Sequence, residues 1–287
     1  MGYVIDFRIR PPHGSFLNSG IFKCWDFDSP ETMTAIQMGR RDIPSARAGS
    51  MDMFIREMDD AGIVKAVIMG RRTGDAALGS GSVDNAEIKE LMDRYPGRFV
   101  GFAGIDPTEA GALEDIERCH AWGFRGVSVE PAWLRPGMYA DDPRLDPVYS
   151  LCNELGMVLN LTTSAFVGPD ISYCEPVHIQ HVAAKYPRMN IVVTHAAWPN
   201  VDKLLGVCLV CMNVYIAPDC YFYVENMPFA DQLVRAGNGF MRHRMLFNSS
   251  YPVRGLKQSV ETWADKGLDA DALERQYYWN AKRLLGL

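Results

Sequence analysis

From residue 63 onward, short β-branched runs alternate with longer amphipathic stretches, a pattern that few folds can satisfy. With one earlier run the candidate strands are VIDFRI, VKAVIMG, RFVGFAGI, GVSVEP, MVLNLTT, NIVVTH, VYIAPD and RMLFNSS, eight in all. Between them NAEIKELMDRYP, EAGALEDIERCHAWG, DPVYSLCNELG and EPVHIQHVAAKYP read as helices that end in Gly or Pro. Further helices are expected from near Asn200 and near Phe229, with ADALERQYYWNAKRLLGL closing the chain. Strands joined by helical crossovers must pair in parallel, and eight such units in 287 residues predict a single (β/α)8 TIM barrel of α/β class. No linker or composition break divides residues 1–287. The exception to the alternation is the segment 11–50, rich in Gly, Ser and aromatic residues, which is expected to be a long loop over the barrel mouth.

With 48% hydrophobic and 22% charged residues the chain has ample material for a core. A net charge of -6 and the lack of a basic stripe argue against nucleic acid as a partner. No apolar run approaches the roughly 18 residues of a membrane span, and MGYVIDFRIRPP lacks the layout of a secretory signal, so a cytoplasmic protein is expected. The seven cysteines are scattered and odd in number, which suits reduced thiols. Cys208 and Cys211 form a CxxC inside LLGVCLVCMN, where both fit an apolar helical face.

In a barrel of this kind the site forms at the C-terminal ends of the strands and in the loops that follow. Strand one ends in Asp6-Phe7-Arg8-Ile9-Arg10, and period-two alternation sends Asp6, Arg8 and Arg10 to one face. Guanidinium forks match carboxylates and phosphates, so the pair points either to an anionic substrate or to structural pairing with Asp6 or Glu130. Strand four offers Glu130 and strand five Thr162, with Asp170 and Tyr173 in the next loop. Strand six ends at His195 with Trp198 close behind, strand seven at Asp219 with Tyr221, and strand eight at Ser250 and Tyr251. Trp133 and Trp198 could wall an aromatic ring or simply cap the core. Of six histidines only His195 falls at a strand end, and its ordinary pKa suits acid–base chemistry. His178 and His181 stand three apart on a helix, a spacing able to bind metal, but that helix belongs outside the barrel, where surface or packing roles are expected.

In order along the chain, IDFRIRPP, FIREMDDAGIVKAVI, VVTHAAWP, LFNSSYP and NAKRLLGL resemble the amidohydrolase superfamily. The likeness is to its amidohydrolase-related branch, which includes aminocarboxymuconate-type decarboxylases, hydratases and lactonases. The resemblance implies a metal held by Asp-x-His-x-His at strand one, histidines at strands five and six, and an aspartate before Tyr-Pro at strand eight. Arg8 and Arg10 stand at the strand-one histidines, Thr162 at the strand-five histidine and Ser250 at the strand-eight aspartate; only Asp6 and His195 keep the family residue. A guanidinium cannot ligate zinc and repels a dication, so no metal ligands and no cofactor are expected.

What remains predicts a metal-independent hydrolase of a small carboxylate-bearing ester, lactone or amide. His195 would be its acid or base, assisted by Asp219 and Tyr221. Arg8 and Arg10 would bind the anion or stabilise the transition state, and Glu130, Thr162, Asp170, Tyr173, Trp198, Ser250 and Tyr251 would contact substrate. A metal-independent lyase, decarboxylase or isomerase of an acidic substrate is the alternative, and a non-catalytic barrel that binds an anionic ligand is another. The expected partner is a small acidic organic molecule, and a homo-oligomer is compatible with the sequence.

Overall fold

The protein was analysed as a computed structural model that describes residues 3–19, 22, 42–73, 81–165, 168 and 170–287. Most of the expected loop over the mouth, residues 20–21 and 23–41, lies outside these. Strands β1 (Val4–Ile9), β2 (Ile63–Met69), β3 (Phe99–Gly104), β4 (Gly126–Val129), β5 (Val158–Thr162), β6 (Ile191–Thr194) and β7 (Val214–Ala217) form one sheet in chain order. All six pairings are parallel, as crossover helices require.

The eighth run, RMLFNSS, closes the barrel but is not a regular strand. It bridges β7 through Ile216–Met245 and β1 through Ile9–Tyr251. The Ile216 N–H donates to Arg244 O at 2.9 Å and the Phe7 N–H to Phe247 O at 2.9 Å. Two donors of the run are diverted from a ladder: the Phe247 N–H goes to Gln276 O in the closing helical segment, and the Ser249 N–H to the Asp6 carboxylate. The chain is therefore a (β/α)8 barrel with an irregular eighth strand. Among the described residues no helix is long and apolar enough to cross a membrane.

Alternation along the strands builds two cores. Ile5, Phe7, Val67, Met69, Val100, Phe102, Val158, Val192 and Leu246 fill the barrel, and Ala281, Leu284 and Leu285 of the last helix pack with them. Val4, Ile9, Ile68, Val127, Leu159, Val193 and Ile216 meet the outer helices. Both Val4 and Ile9 face outward although they stand an odd number of positions apart, because a register shift lies between Asp6 and Ile9. Asp6 is consequently out of phase with Arg8 and Arg10, against the expectation that all three share a face. Its Oδ1 accepts the N–H groups of Arg8 (3.1 Å) and Ser249 (3.0 Å), so it braces the bulge and ties it to the eighth strand.

Helix ends follow their local chemistry. The Ser50 hydroxyl caps Met51–Asp60 and the Asp84 carboxylate caps Asn85–Arg94, each accepting an orphan N–H. Gly156 closes Asp146–Leu155 in the left-handed region, and Pro176 opens Pro176–Lys185 at a position that needs no N–H.

Candidate active site

Three guanidiniums enter the barrel mouth. Arg8 Nη1 lies 2.9 Å from Asp219 Oδ2. Arg10 Nη2 lies 2.5 Å from Glu130 Oε1, and Arg71 Nε is 2.9 Å from Oε2 of the same carboxylate. All five side chains are buried. Arg71 also stacks on Trp133, its Cζ 4.2 Å from the ring centroid. The expected pairing of Arg10 with Glu130 is present, whereas the partner of Arg8 is Asp219 and not Asp6.

Around this cluster the strand ends leave ordinary backbone geometry. His195, Ala196 and Ala197 turn successively through φ of 65°, 52° and 49°, Asp219 has φ 65° and Ser250 φ 64°. Non-glycine residues pay on the order of 1–3 kcal/mol each for such conformations, so the fold concentrates strain on the residues that line the mouth. The turn aims His195 Nδ1 at Asp219 Oδ2 (3.5 Å) and Cys220 Sγ (3.7 Å). Tyr221 shares a 2.7 Å hydrogen bond with the Ser164 hydroxyl and stacks on Trp198 at 4.9 Å between centroids. Its ring meets that of His195 edge-on at 5.7 Å.

Burial and the three positive charges set the protonation states. His195 is pushed well below its ordinary 6.5 by desolvation and then by Arg8, Arg10 and Arg71, so its imidazole is neutral near pH 7. Desolvation raises Asp219 and takes Asp6 to about 7. Desolvation is the largest single effect on Glu130 and would raise it, but Arg71, Arg10 and Arg8 together hold it below its ordinary 4.5. Desolvation lowers Arg10 to about 9, which still leaves it charged. Burial also raises the Tyr221 hydroxyl and the Cys220 thiol, so both stay protonated.

Of the residues expected at the site, Arg8, Arg10, Glu130, His195, Trp198, Asp219 and Tyr221 form this connected set. Thr162 is buried at the end of β5, where its hydroxyl accepts from Thr194 Oγ1 and Asn160 Nδ2, both at 3.3 Å. Ser250 is buried, and its Oγ has no hydrogen-bond partner among the described residues; Thr163 Oγ1 is in the same state. Three expected contacts go elsewhere. The Tyr251 hydroxyl pairs with Ser45 Oγ at 2.8 Å and its ring packs on Phe54 at 4.7 Å, which places it in the helix layer. Asp170 is exposed and caps the turn Ile171–Cys174 by accepting the Ser172 N–H. Tyr173 stacks on Tyr139 at 4.5 Å, at the rim. Arg71, Ser164 and Cys220 were not expected. Arg71 follows β2 directly in Met69-Gly70-Arg71, the position that singled out residues on the other strands.

The metal implied by the resemblance can be tested against these donors. His195, Asp219 and Cys220 each bring a ligand atom within 4.8 Å of the others. Arg8 already occupies Asp219 Oδ2, and the three guanidiniums that keep a proton off His195 would oppose a dication at the same place. The Cys220 thiol is held protonated and Thr162 and Ser250 supply only neutral hydroxyls. These donors do not fit the family's divalent ion.

Comparison with known proteins bears on the fold and the family. The family model described as Amidohydrolase matches residues 5–287. An uncharacterised TIM-barrel protein from Bordetella bronchiseptica has a solved structure that is 33% identical over 99% of this chain and 98% of its own, with a TM-score of 0.89. A 2,6-dihydroxybenzoate decarboxylase from Rhizobium shares the fold at 16% identity over 100% of this chain and 99% of its own, TM-score 0.68. So does a probable 2-pyrone-4,6-dicarboxylic acid hydrolase from Acinetobacter baumannii, at 16% identity over 99% of both chains, TM-score 0.69. A search of curated proteins finds no match. The family model covers almost the whole chain, which belongs to the amidohydrolase family of enzymes.

Proposed function

We propose that the protein is a metal-independent hydrolase of a small carboxylate-bearing ester, lactone or amide. The observation that carries this reading is the charge balance of the mouth. Three buried guanidiniums converge there on two carboxylates, Glu130, which Arg71 and Arg10 hold ionised, and Asp219, which is paired with Arg8. A dry cleft with surplus positive charge gains by taking up an anion, and it favours charge that develops on a carbonyl oxygen during attack. His195 supplies the base. With Nδ1 turned to Asp219, Nε2 is left to accept a proton from water, and burial together with the arginines keeps the imidazole unprotonated near pH 7. The unsatisfied hydroxyls of Ser250 and Thr163 are available to substrate oxygens.

Decarboxylation of an acidic aromatic is the second reading, favoured by the fold shared with a 2,6-dihydroxybenzoate decarboxylase. The experiment that separates the two supplies small aromatic and pyrone carboxylates, 2-pyrone-4,6-dicarboxylate and 2,6-dihydroxybenzoate among them, to chelator-treated enzyme in ¹⁸O-water. Hydrolysis places one labelled oxygen in the product, whereas decarboxylation releases carbon dioxide from the substrate and leaves an aromatic product that carries a solvent proton and no label. Activity that disappears with chelator and returns with a divalent metal would overturn the metal-independent reading.

A further inference from the structure

Outside the barrel, the helix Pro176–Lys185 carries His178 and His181 almost one turn apart, on one face. The segment after β4 returns along this helix and presents Asp141 to both rings. His178 Nδ1 lies 2.7 Å from Asp141 Oδ1, and His181 Nδ1 lies 2.6 Å from Oδ2. Two imidazoles thus aim the same ring nitrogen at the two oxygens of one carboxylate, and the three ligand atoms fall within 4.8 Å of one another.

The arrangement is held from behind. The His178 ring stacks on Tyr139 at 4.4 Å, Tyr139 stacks on Tyr173 at 4.5 Å, and the Tyr139 hydroxyl shares a 2.9 Å hydrogen bond with Ser172. Rings fixed in this way hold a ligand set in place before anything binds. The front is open: His178 and Asp141 are about one quarter exposed and His181 is 58% exposed. A surface hollow of about 300 Å³ lies beside His181, lined also by Asp141, Asp142, Asp146 and Lys185.

We infer that Asp141, His178 and His181 form a divalent transition-metal site, zinc in type, at the rim and separate from the cluster of His195, Asp219 and Cys220 in the mouth. Two imidazole nitrogens and a carboxylate oxygen are a zinc donor set, and the open side leaves a fourth position for water. Tetrahedral bonds of about 2.1 Å put ligand atoms roughly 3.4 Å apart, so the clasp must widen by less than about 1 Å. Rotation of the exposed His181 ring supplies that movement. A bound ion would lock the rim segment that carries Tyr139 and Asp141 to the outer helix. The spacing of His178 and His181 alone could not show this, because the third ligand comes from 37 residues earlier.

The test uses the full chain stripped with chelator and dialysed, titrated with zinc chloride by calorimetry. One equivalent should bind at micromolar or tighter Kd, and His181→Gln and Asp141→Asn should each weaken it at least 30-fold. Cobalt(II) at the same site should give visible d–d absorption that His178→Gln abolishes. His181→Gln changes a mostly exposed side chain, and circular dichroism of the zinc-free variant confirms that it folds. No saturable binding overturns the inference. So does binding that His181→Gln leaves intact and His195→Gln removes, which would assign the ion to the mouth. Neither readout depends on turnover, so the proposed reaction can fail without affecting this result.

Discussion

Arg8 Nη1 meets Asp219 Oδ2 at 2.9 Å in a place where at most 4% of either side chain reaches solvent. Neither charge has water to fall back on, so removal of one strands the other, at a cost of roughly 3–5 kcal/mol. Arg8→Met and Asp219→Asn should each lower stability by about that much in equilibrium urea unfolding. The double variant should lose clearly less than the sum, because it leaves no stranded charge. Strict additivity would show that the two groups do not depend on each other.

Arg10 and Arg71 share the two oxygens of Glu130, an arrangement that leaves positive charge over. If that surplus binds substrate, Arg10→Met should weaken acidic ligands about tenfold or more, in line with the roughly 1.5–3 kcal/mol of a charged hydrogen bond, and spare neutral analogues. Calorimetric titration of matched acids and amides distinguishes the cases. Equal losses for both would make Arg10 a structural partner of Glu130 and nothing more.

The parts of the mouth legible in the sequence are those fixed by strand periodicity. Arg10, Glu130, His195 and Asp219 could be placed because each ends a run whose alternation is visible. The bulge between Asp6 and Ile9 was not legible, since an extra residue in a strand leaves no mark on composition; it turned Asp6 away from Arg8 and Arg10. The same limit applies to Tyr251. The left-handed Ser250 before it breaks the alternation of the eighth run and sends the ring outward to Ser45 and Phe54. Arg71 carries no such mark, because it stands beyond the end of its run and its partners Glu130 and Trp133 come from the distant segment after β4.

Asp6 gives a pH dependence of definite sign. Its carboxyl titrates near 3.8 when unfolded and at about 7 when folded, with burial as the main cause. The native chain holds this proton longer, so the stability it contributes is complete below about pH 3.8 and is lost as pH rises through 7. Glu130, lowered by Arg71 and Arg10, works in reverse: its share is present above 4.5 and lost as pH falls. Asp6→Asn keeps an oxygen for the N–H groups of Arg8 and Ser249 and removes the titration. Between pH 4 and 7 it should therefore gain on the parent by up to about 1.4 kcal/mol per pH unit. Parallel stability curves would show that Asp6 does not titrate in this range.

His195 carries the opposite shift. Burial and the three arginines keep it neutral, so its ring proton signals should not move between pH 8 and 6 in NMR spectra of histidine-labelled protein. Arg8→Met should bring its midpoint up toward 6.5 by removing the largest of the three charge repulsions. A parent midpoint near 6.5 would mean that the positive field does not act on the imidazole.

Gly70 and Gly104 meet where β2 and β3 end, directly beneath Arg71. A Cβ on Gly104 would fall 2.2 Å from the Arg71 nitrogen and 2.7 Å from its Cα; one on Gly70 would fall 2.3 Å from the Gly104 nitrogen. Both obstacles are backbone, so no rotamer change relieves them, and the strand ends must part. Gly104→Ala should therefore destabilise the fold by roughly 3 kcal/mol or more, above the usual cost of overpacking, and should also weaken acidic ligands as Arg71 is carried away from Glu130. Gly97→Ala is the control. Its added Cβ would meet nothing within 4 Å, and its φ of +79° leaves only backbone strain of about 1 kcal/mol. If the two variants proved equally mild in urea unfolding and in ligand titration, the close approach of β2 and β3 could not be what positions Arg71.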